Sequence, residues 1–113
     1  MGEFGFPMVA DQGWTKIHKV SETGFIGLVD GSKGMHKPTE KKAVNVGFII
    51  DDLQGWMDYV IENELLELRE QELSTGPEGK YKAFVGYDPC GYYLEFDKFY
   101  SHPDNILLMK YLH

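Results

Sequence analysis

The sequence predicts an α+β fold, one amphipathic helix set among short strands. Three observations carry this. Leu53, Trp56, Met57, Val60 and Ile61 recur at i, i+3, i+4, i+7 and i+8, the spacing of one helical face. Short apolar or alternating runs recur along the chain, each bounded by Gly, Pro, Asp or Ser. These runs fall into two halves: strands alone up to residue 31, then strand, helix and further strands from residue 43.

In the first half, "TKIHKV" (15–20) alternates, "SETG" (21–24) is a turn, and "FIGLVDG" (25–31) is apolar and ends in Asp-Gly. Two neighbouring strands with a short connection read as a hairpin. "GSKGMHKPTEKK" (31–42) is polar and supplies the linker between halves, at 32–42. "AVNVGFII" (43–50) is nearly continuously apolar, as in a strand buried on both faces. The helix follows within 51–65. Asp51 or Asp52 caps it, since a carboxylate accepts the free N–H groups of the first turn and meets the positive end of the dipole. Gly55 weakens this helix without forbidding it.

"LLELREQEL" (65–73) fits a strand and a continued helix equally. "STGPEGK" (74–80) reads as a loop. "YKAFVGYD" (81–88), the turn Asp88-Pro89-Cys90-Gly91 and a strand through Phe99 make a second hairpin, with Pro and Gly at the second and fourth positions of a type I turn. A closing helix is expected over 100–113, from the spacing of Ile106, Leu107 and Met109.

The chain has 113 residues, 42% of them hydrophobic, which suits one domain with one core. Its net charge of -7 repels phosphate backbones, so nucleic acid is not an expected partner. No run approaches the ~18 apolar residues of a membrane span. "MGEFGFPMVADQGW" lacks the pattern of a signal peptide, and a single cysteine makes no internal disulfide. Both points lead to an expected cytoplasmic location.

Glu95 stands inside the apolar run "YYLEF" (92–96). A carboxylate buried without a partner costs several kcal/mol, on the order of the whole stability of a small domain. Glu95 is therefore wet, paired or bound to something. By strand alternation Tyr93, Asp97 and Phe99 share its face, an aromatic wall with acidic points. Such a wall suits a flat or cationic guest through stacking and cation–π contact, and a dimer interface is the rival use.

"VNVGFIIDDLQGWMDYV" and "FVGYDPCGYYLEF" together resemble the second module of the vicinal oxygen chelate superfamily, which includes glyoxalase I, bleomycin resistance proteins and extradiol dioxygenases. The resemblance rests on Asp51-Asp52-Leu53 before a helix and on Asp88-Pro89-Cys90-Gly91 before a strand ending in Glu95-Phe96. It covers 43–99. Residues 1–31 resemble the second to fourth strands of a first module whose opening strand and helix have no counterpart here. The resemblance implies paired βαβββ modules, the first incomplete, curling around a cavity. An open sheet edge then asks for cover, and a homodimer is expected.

Metal-dependent members hold a divalent ion with imidazole and carboxylate ligands facing that cavity. Carried over position by position, the resemblance retains Glu95, puts Asn45 where a histidine is usual, and puts Gly27 where a second carboxylate is usual. One carboxylate does not hold a transition metal. The expectation is thus a metal-free small-molecule binding protein with Glu95, Asn45, Tyr93 and Phe99 as its ligand-binding residues. The alternative is a metal-dependent lyase, isomerase or dioxygenase acting on vicinal oxygens, with Glu95 as a ligand and a divalent metal as Lewis acid. No catalytic residue is assigned.

The remaining chemistry-bearing residues read as structural. His18 is expected exposed on its strand, His36 solvated in the linker, His102 shaping a turn, and His113 terminal. No two histidines have the spacing of a local metal motif. Cys90 sits in a turn beside Asp88, which opposes thiolate formation.

Overall fold

Turn-forming residues divide the first half as the sequence suggests. The computed structural model describes residues 4–30, 32–33 and 40–112. Two compact units divide the chain, Met1–Glu40 and Lys41–His113. The first contains β1 (Met8–Asp11), β2 (Thr15–Lys19) and β3 (Phe25–Val29), an antiparallel sheet in that order. Gly13, at φ +84°, turns β1 into β2, and its N–H donates to Asp11 Oδ1 at 3.0 Å. No α-helix occurs among the described residues of this unit. Most of the expected linker, including His36, lies outside the described residues, as does His113.

His18 departs from its expected exposure: it is only 6% exposed. The chain ahead of β1 runs back along β2, so that Lys19 N–H donates to Pro7 O, and His18 Nδ1 lies 3.0 Å from Phe6 O. An imidazole facing a carbonyl must donate, which fixes the proton on Nδ1.

The second unit holds β4 (Asn45–Ile49), α1 (Leu53–Glu62), β5 (Glu67–Leu68), β6 (Ser74–Thr75), β7 (Tyr81–Tyr87) and β8 (Tyr93–Phe99). Its five-stranded sheet runs β4-β8-β7-β5, with β6 also pairing β7. β4 lies parallel to β8, and α1 sits in the crossover that such a pair requires. The ambiguous 65–73 segment resolves into β5 and an irregular stretch. Residues 74–75, expected as loop, pair with β7 at Ala83 and Lys82.

β4 is not buried on both faces. It ends the sheet, and Asn45, Gly47 and Ile49 are exposed while Val46 and Phe48 are half-buried. An apolar run at an edge is covered from one side only, a distinction that composition does not carry.

Asp52 is the cap of α1, accepting from Gly55 N–H at 3.0 Å. A Cβ at Gly55 would collide with that carboxylate, which accounts for glycine inside a helix. Leu53, Met57 and Val60 are buried, whereas Ile61 is 43% exposed, so the apolar stripe is narrower than its spacing suggests. Phe96 is fully buried at the centre of the core. Phe84, Phe48 and Trp56 stack on it at centroid distances of 4.8, 5.1 and 5.6 Å. Not all strand aromatics are core: Trp14, Phe25, Tyr87 and Tyr92 are exposed.

After β8, His102 Nδ1 accepts from Asp104 N–H at 3.0 Å and opens a 3-10 turn over Pro103–Asn105. The expected closing helix is a single turn, α2 (Ile106–Met109), with Ile106, Leu107 and Met109 exposed. Asn105 is buried and donates to Lys80 O and Tyr100 O, both at 2.9 Å, tying this segment to the β7–β8 pair. Among the described residues no helix is long and apolar enough to cross a membrane.

α1 ends with Glu64 N–H donating to Ile61 O and Leu65 N–H donating to Val60 O. Glu64 itself has φ +51°, the left-handed conformation that glycine adopts without penalty. Glu64→Gly is therefore expected to stabilise the fold by about 0.5–1 kcal/mol. Urea denaturation at constant m-value checks this, and a loss of stability would show that the Glu64 side chain supports the fold.

Candidate functional site

Strand alternation sorts the second unit's sheet into two chemically different faces. Val46, Phe48, Leu94, Phe96 and Phe84 take the α1 side. In register on the other side stand Asn45 opposite Tyr93, Gly47 opposite Glu95, and Ile49 opposite Asp97. β7 continues that row with Tyr87, Val85, Ala83 and Tyr81 opposite Tyr93, Glu95, Asp97 and Phe99. The structure thus brings Asn45, Tyr93 and Glu95 to one face.

A pocket of about 430 Å³ opens on this face, with Asn45, Tyr93, Glu95, Tyr81, Ser74 and Arg69 among its lining. Its floor is made by small side chains, Ala83 and Val85, and its wall by tyrosines. Beside it lies a second pocket of about 590 Å³, bounded by Lys42, Val44, Tyr87 and Gly91, which shares Asn45, Arg69 and Tyr93. Phe99 is on the expected face but lines neither. It packs against Tyr81 at a centroid distance of 5.7 Å and backs the wall from behind.

The Asp88–Gly91 turn sets where the site begins. Gly91 N–H donates to Asp88 O at 2.9 Å, and the Asp88 carboxylate accepts from Cys90 N–H and Tyr92 N–H at 2.9 and 2.8 Å. Gly91, at φ +87°, supplies the reversal that starts β8 at Tyr93 in register with Tyr87. The two rings meet edge to face at 5.0 Å. Arg69 hydrogen-bonds to the Tyr93 side chain, which raises the guanidinium pKa further above its ordinary value.

Asp97 was not among the expected ligand-binding residues. Its parity with Glu95 is the sequence signal that points to it. It is only 7% exposed, and its strand neighbours Ile49 and Ala83 carry no charge. Burial first, then its hydrogen bond to Glu95 and repulsion from that carboxylate, push Asp97 up to about 7. Asp97 therefore keeps its proton to near neutrality and donates it to Glu95. The question raised by a carboxylate in an apolar strand has this answer: Glu95 is half-buried, paired with a second acid, and set on a pocket wall.

Does this donor set suit the divalent metal that the sequence resemblance implies? The acids hydrogen-bond to each other, Asn45 offers an amide, and Gly27 offers nothing. Among the described residues no three His, Cys, Asp or Glu side chains come together in a way that could hold an ion. His18, the buried imidazole, commits Nδ1 to Phe6 O within the first unit. These residues do not fit the imidazole–carboxylate set that the sequence resemblance implies.

No protein-family model matches the chain, and no curated protein matches it. Solved structures do. The chain is similar to a lactoylglutathione lyase from Agrobacterium tumefaciens, at TM-score 0.63 and 18% identity, over 85% of this chain and 77% of that one. It is similar to a glyoxalase/bleomycin resistance protein/dioxygenase from Alicyclobacillus acidocaldarius, at TM-score 0.64 and 12% identity, over 89% and 78%. A protein from the mobile metagenome of V. Pseudocholerae matches at TM-score 0.59 and 26% identity, over 88% and 79%. The fold is that of the glyoxalase/bleomycin-resistance proteins.

The acid pair makes stability depend on pH with a definite sign. Between its ordinary pKa of 3.8 and about 7, Asp97 holds a proton when folded that the unfolded chain has released. Stability thus falls as pH rises through that window and levels off above it. Asp97→Asn keeps a donor toward Glu95 and removes the charge. It is expected to flatten this dependence and stabilise the protein by about 2 kcal/mol at pH 8, with little effect at pH 4. Chemical denaturation across pH checks it, and equal effects at both pH values would count against the paired acid.

Proposed function

We propose that this chain, which has the fold of the vicinal oxygen chelate superfamily, is a metal-free binding protein for a cationic or amine-bearing small molecule. The observation that carries this reading is Glu95, hydrogen-bonded to the buried Asp97, on the wall of a pocket that Tyr81 and Tyr93 line. Glu95 faces an ammonium as acceptor, and Asp97 behind it tunes that charge. Tyr81 and Tyr93 offer ring faces to a cation or a flat group, Asn45 adds an amide, and Phe99 holds Tyr81 in place. The net charge of -7 favours a cationic guest at long range.

The fold likeness to a glyoxalase/bleomycin resistance protein/dioxygenase is compatible with sequestration as the mode of action. We take the acting form to be a homodimer, because β4 ends its sheet with Val44 and Ile49 exposed, an edge that asks for cover.

The test joins elemental analysis to binding. Purified protein is expected to carry no stoichiometric metal. It is expected to bind 4-methylbenzylamine in calorimetry, with affinity lowered about tenfold or more by Glu95→Gln, the equivalent of ~1.4 kcal/mol. Stoichiometric Zn, Ni, Mn or Fe that disappears in Glu95→Ala would sink the metal-free reading and favour a metal-dependent lyase, isomerase or dioxygenase.

A further inference from the structure

Six glycines lie in the second unit, and the fold accounts for five of them. Gly79 and Gly91 have φ of +67° and +87°, the left-handed region that other residues enter at a cost. A Cβ at Gly55 would strike the Asp52 carboxylate, one at Gly76 would strike the Tyr81 ring, and one at Gly86 would come within 2.8 Å of Glu67 O. Gly47 has neither reason. Its φ lies outside the left-handed region, and a Cβ there would meet only Asp97 Oδ2, at an ordinary 3.8 Å. Glycine inside a strand also weakens it, because it loses more backbone freedom on folding and has no side chain to pack.

The place of this glycine gives it a use. Gly47 is the register partner of Glu95, and Ile49 is that of Asp97. A side chain at 47 would stand on the face of the acid pair, beside Glu95. Asn45, the preceding residue of β4 on that face, lines the pocket together with Glu95. The empty position therefore leaves the charged end of the site wide. Its borders are mixed. The Glu95 carboxylate takes an N–H donor, while Ile49, 45% exposed, offers apolar contact. Ala83, the β7 partner of Asp97, is also small. Room bordered by one acceptor and by apolar surface suits a substituted nitrogen better than a bare ammonium, whose three N–H groups each ask for an acceptor.

We infer that Gly47 is the specificity-determining residue of this site: its missing side chain leaves room opposite Glu95 for alkyl groups on the guest's nitrogen, so that the site takes N-alkylated amines. This rests on the amine-binding reading of the same pocket and adds a size limit at its charged end. The N–H of a tertiary ammonium points to Glu95, and its methyl groups lie over Gly47 and against Ile49. A β-branched residue at 47 would suit a strand better but would fill that room.

Two probes read this out in calorimetry: 4-methylbenzylamine and its N,N-dimethyl derivative. The wild-type protein is expected to bind the dimethylated amine at least as tightly as the primary one. In Gly47→Val the dimethylated amine is expected to lose about tenfold or more in affinity, and the primary amine no more than about threefold. Gly47→Ala is expected to fall between. Both variants are expected to melt at or above the wild-type temperature and to keep its elution volume in gel filtration. If the wild type binds the primary amine more tightly, or if the ratio of the two affinities survives in both variants, the inference is overturned and the amine site stands. Either variant melting well below the wild type, or eluting differently, would overturn it too, by showing that the glycine serves folding or contact between copies. If neither amine binds to wild-type protein whose thermal melt is cooperative, the amine site falls and this inference with it.

Discussion

β8 is the central ladder of the second unit's sheet, hydrogen-bonded parallel to β4 on one side and antiparallel to β7 on the other. Its side chains alternate Tyr93, Leu94, Glu95, Phe96, Asp97, and a strand held on both edges cannot slip by one residue without exchanging its two faces. Such a slip would drive both acids into the helix-packed core and put Phe96 on the pocket side. The aromatic stack around Phe96 therefore does more than stabilise the fold. By fixing the register it decides that Glu95 and Asp97 arrive together on the face opposite α1.

That arrangement sets stability against binding. The cost of desolvating two adjacent carboxylates falls on the folded state. It is met by a core in which Phe96, Met57 and Val60 are fully buried, and by the Asp88 turn and Asp52 cap that fix the ends of the elements carrying it. Holding a proton on Asp97 lowers the cost while the pocket is empty, because a neutral carboxyl is cheaper to bury than a charged one. An arriving ammonium supplies the missing counter-charge. The strain in the free protein is thus of the kind that a cationic guest relieves, which links the burial of these acids to the proposed chemistry.

Much of this was legible in the sequence because it depends on short-range rules. The helix cap, the 88–91 turn and the shared parity of Asn45's partner Tyr93 with Glu95 and Phe99 follow from local spacing. What was not legible depends on neighbours distant in the chain. β4 reads as a doubly buried strand, but its place at the sheet edge exposes Ile49. His18 reads as exposed, but Phe6 and Pro7 return over it. Residues 74–75 carry no strand signal of their own and pair only because β7 offers them a free edge. Asp97 sat in view on the right parity. Its importance came from burial between Ile49 and Ala83, which alternation alone does not report.

The depth of the site follows from the sizes of the side chains along one face. Ala83 and Val85 stand between tyrosines along β7, with Gly47 on the same face of β4, so the face is hollow in its side chains. A Cβ built at Gly47 would meet Asp97 Oδ2 at 3.8 Å and nothing else within 4 Å, so the glycine leaves the space over the acid pair open although packing does not require it. A strand that needed only to be stable would gain from a β-branched residue there. The hollow, its tyrosines and the Glu95 carboxylate on its wall are set by different strands and turns. Their convergence on one face is better accounted for by a bound molecule than by the needs of folding.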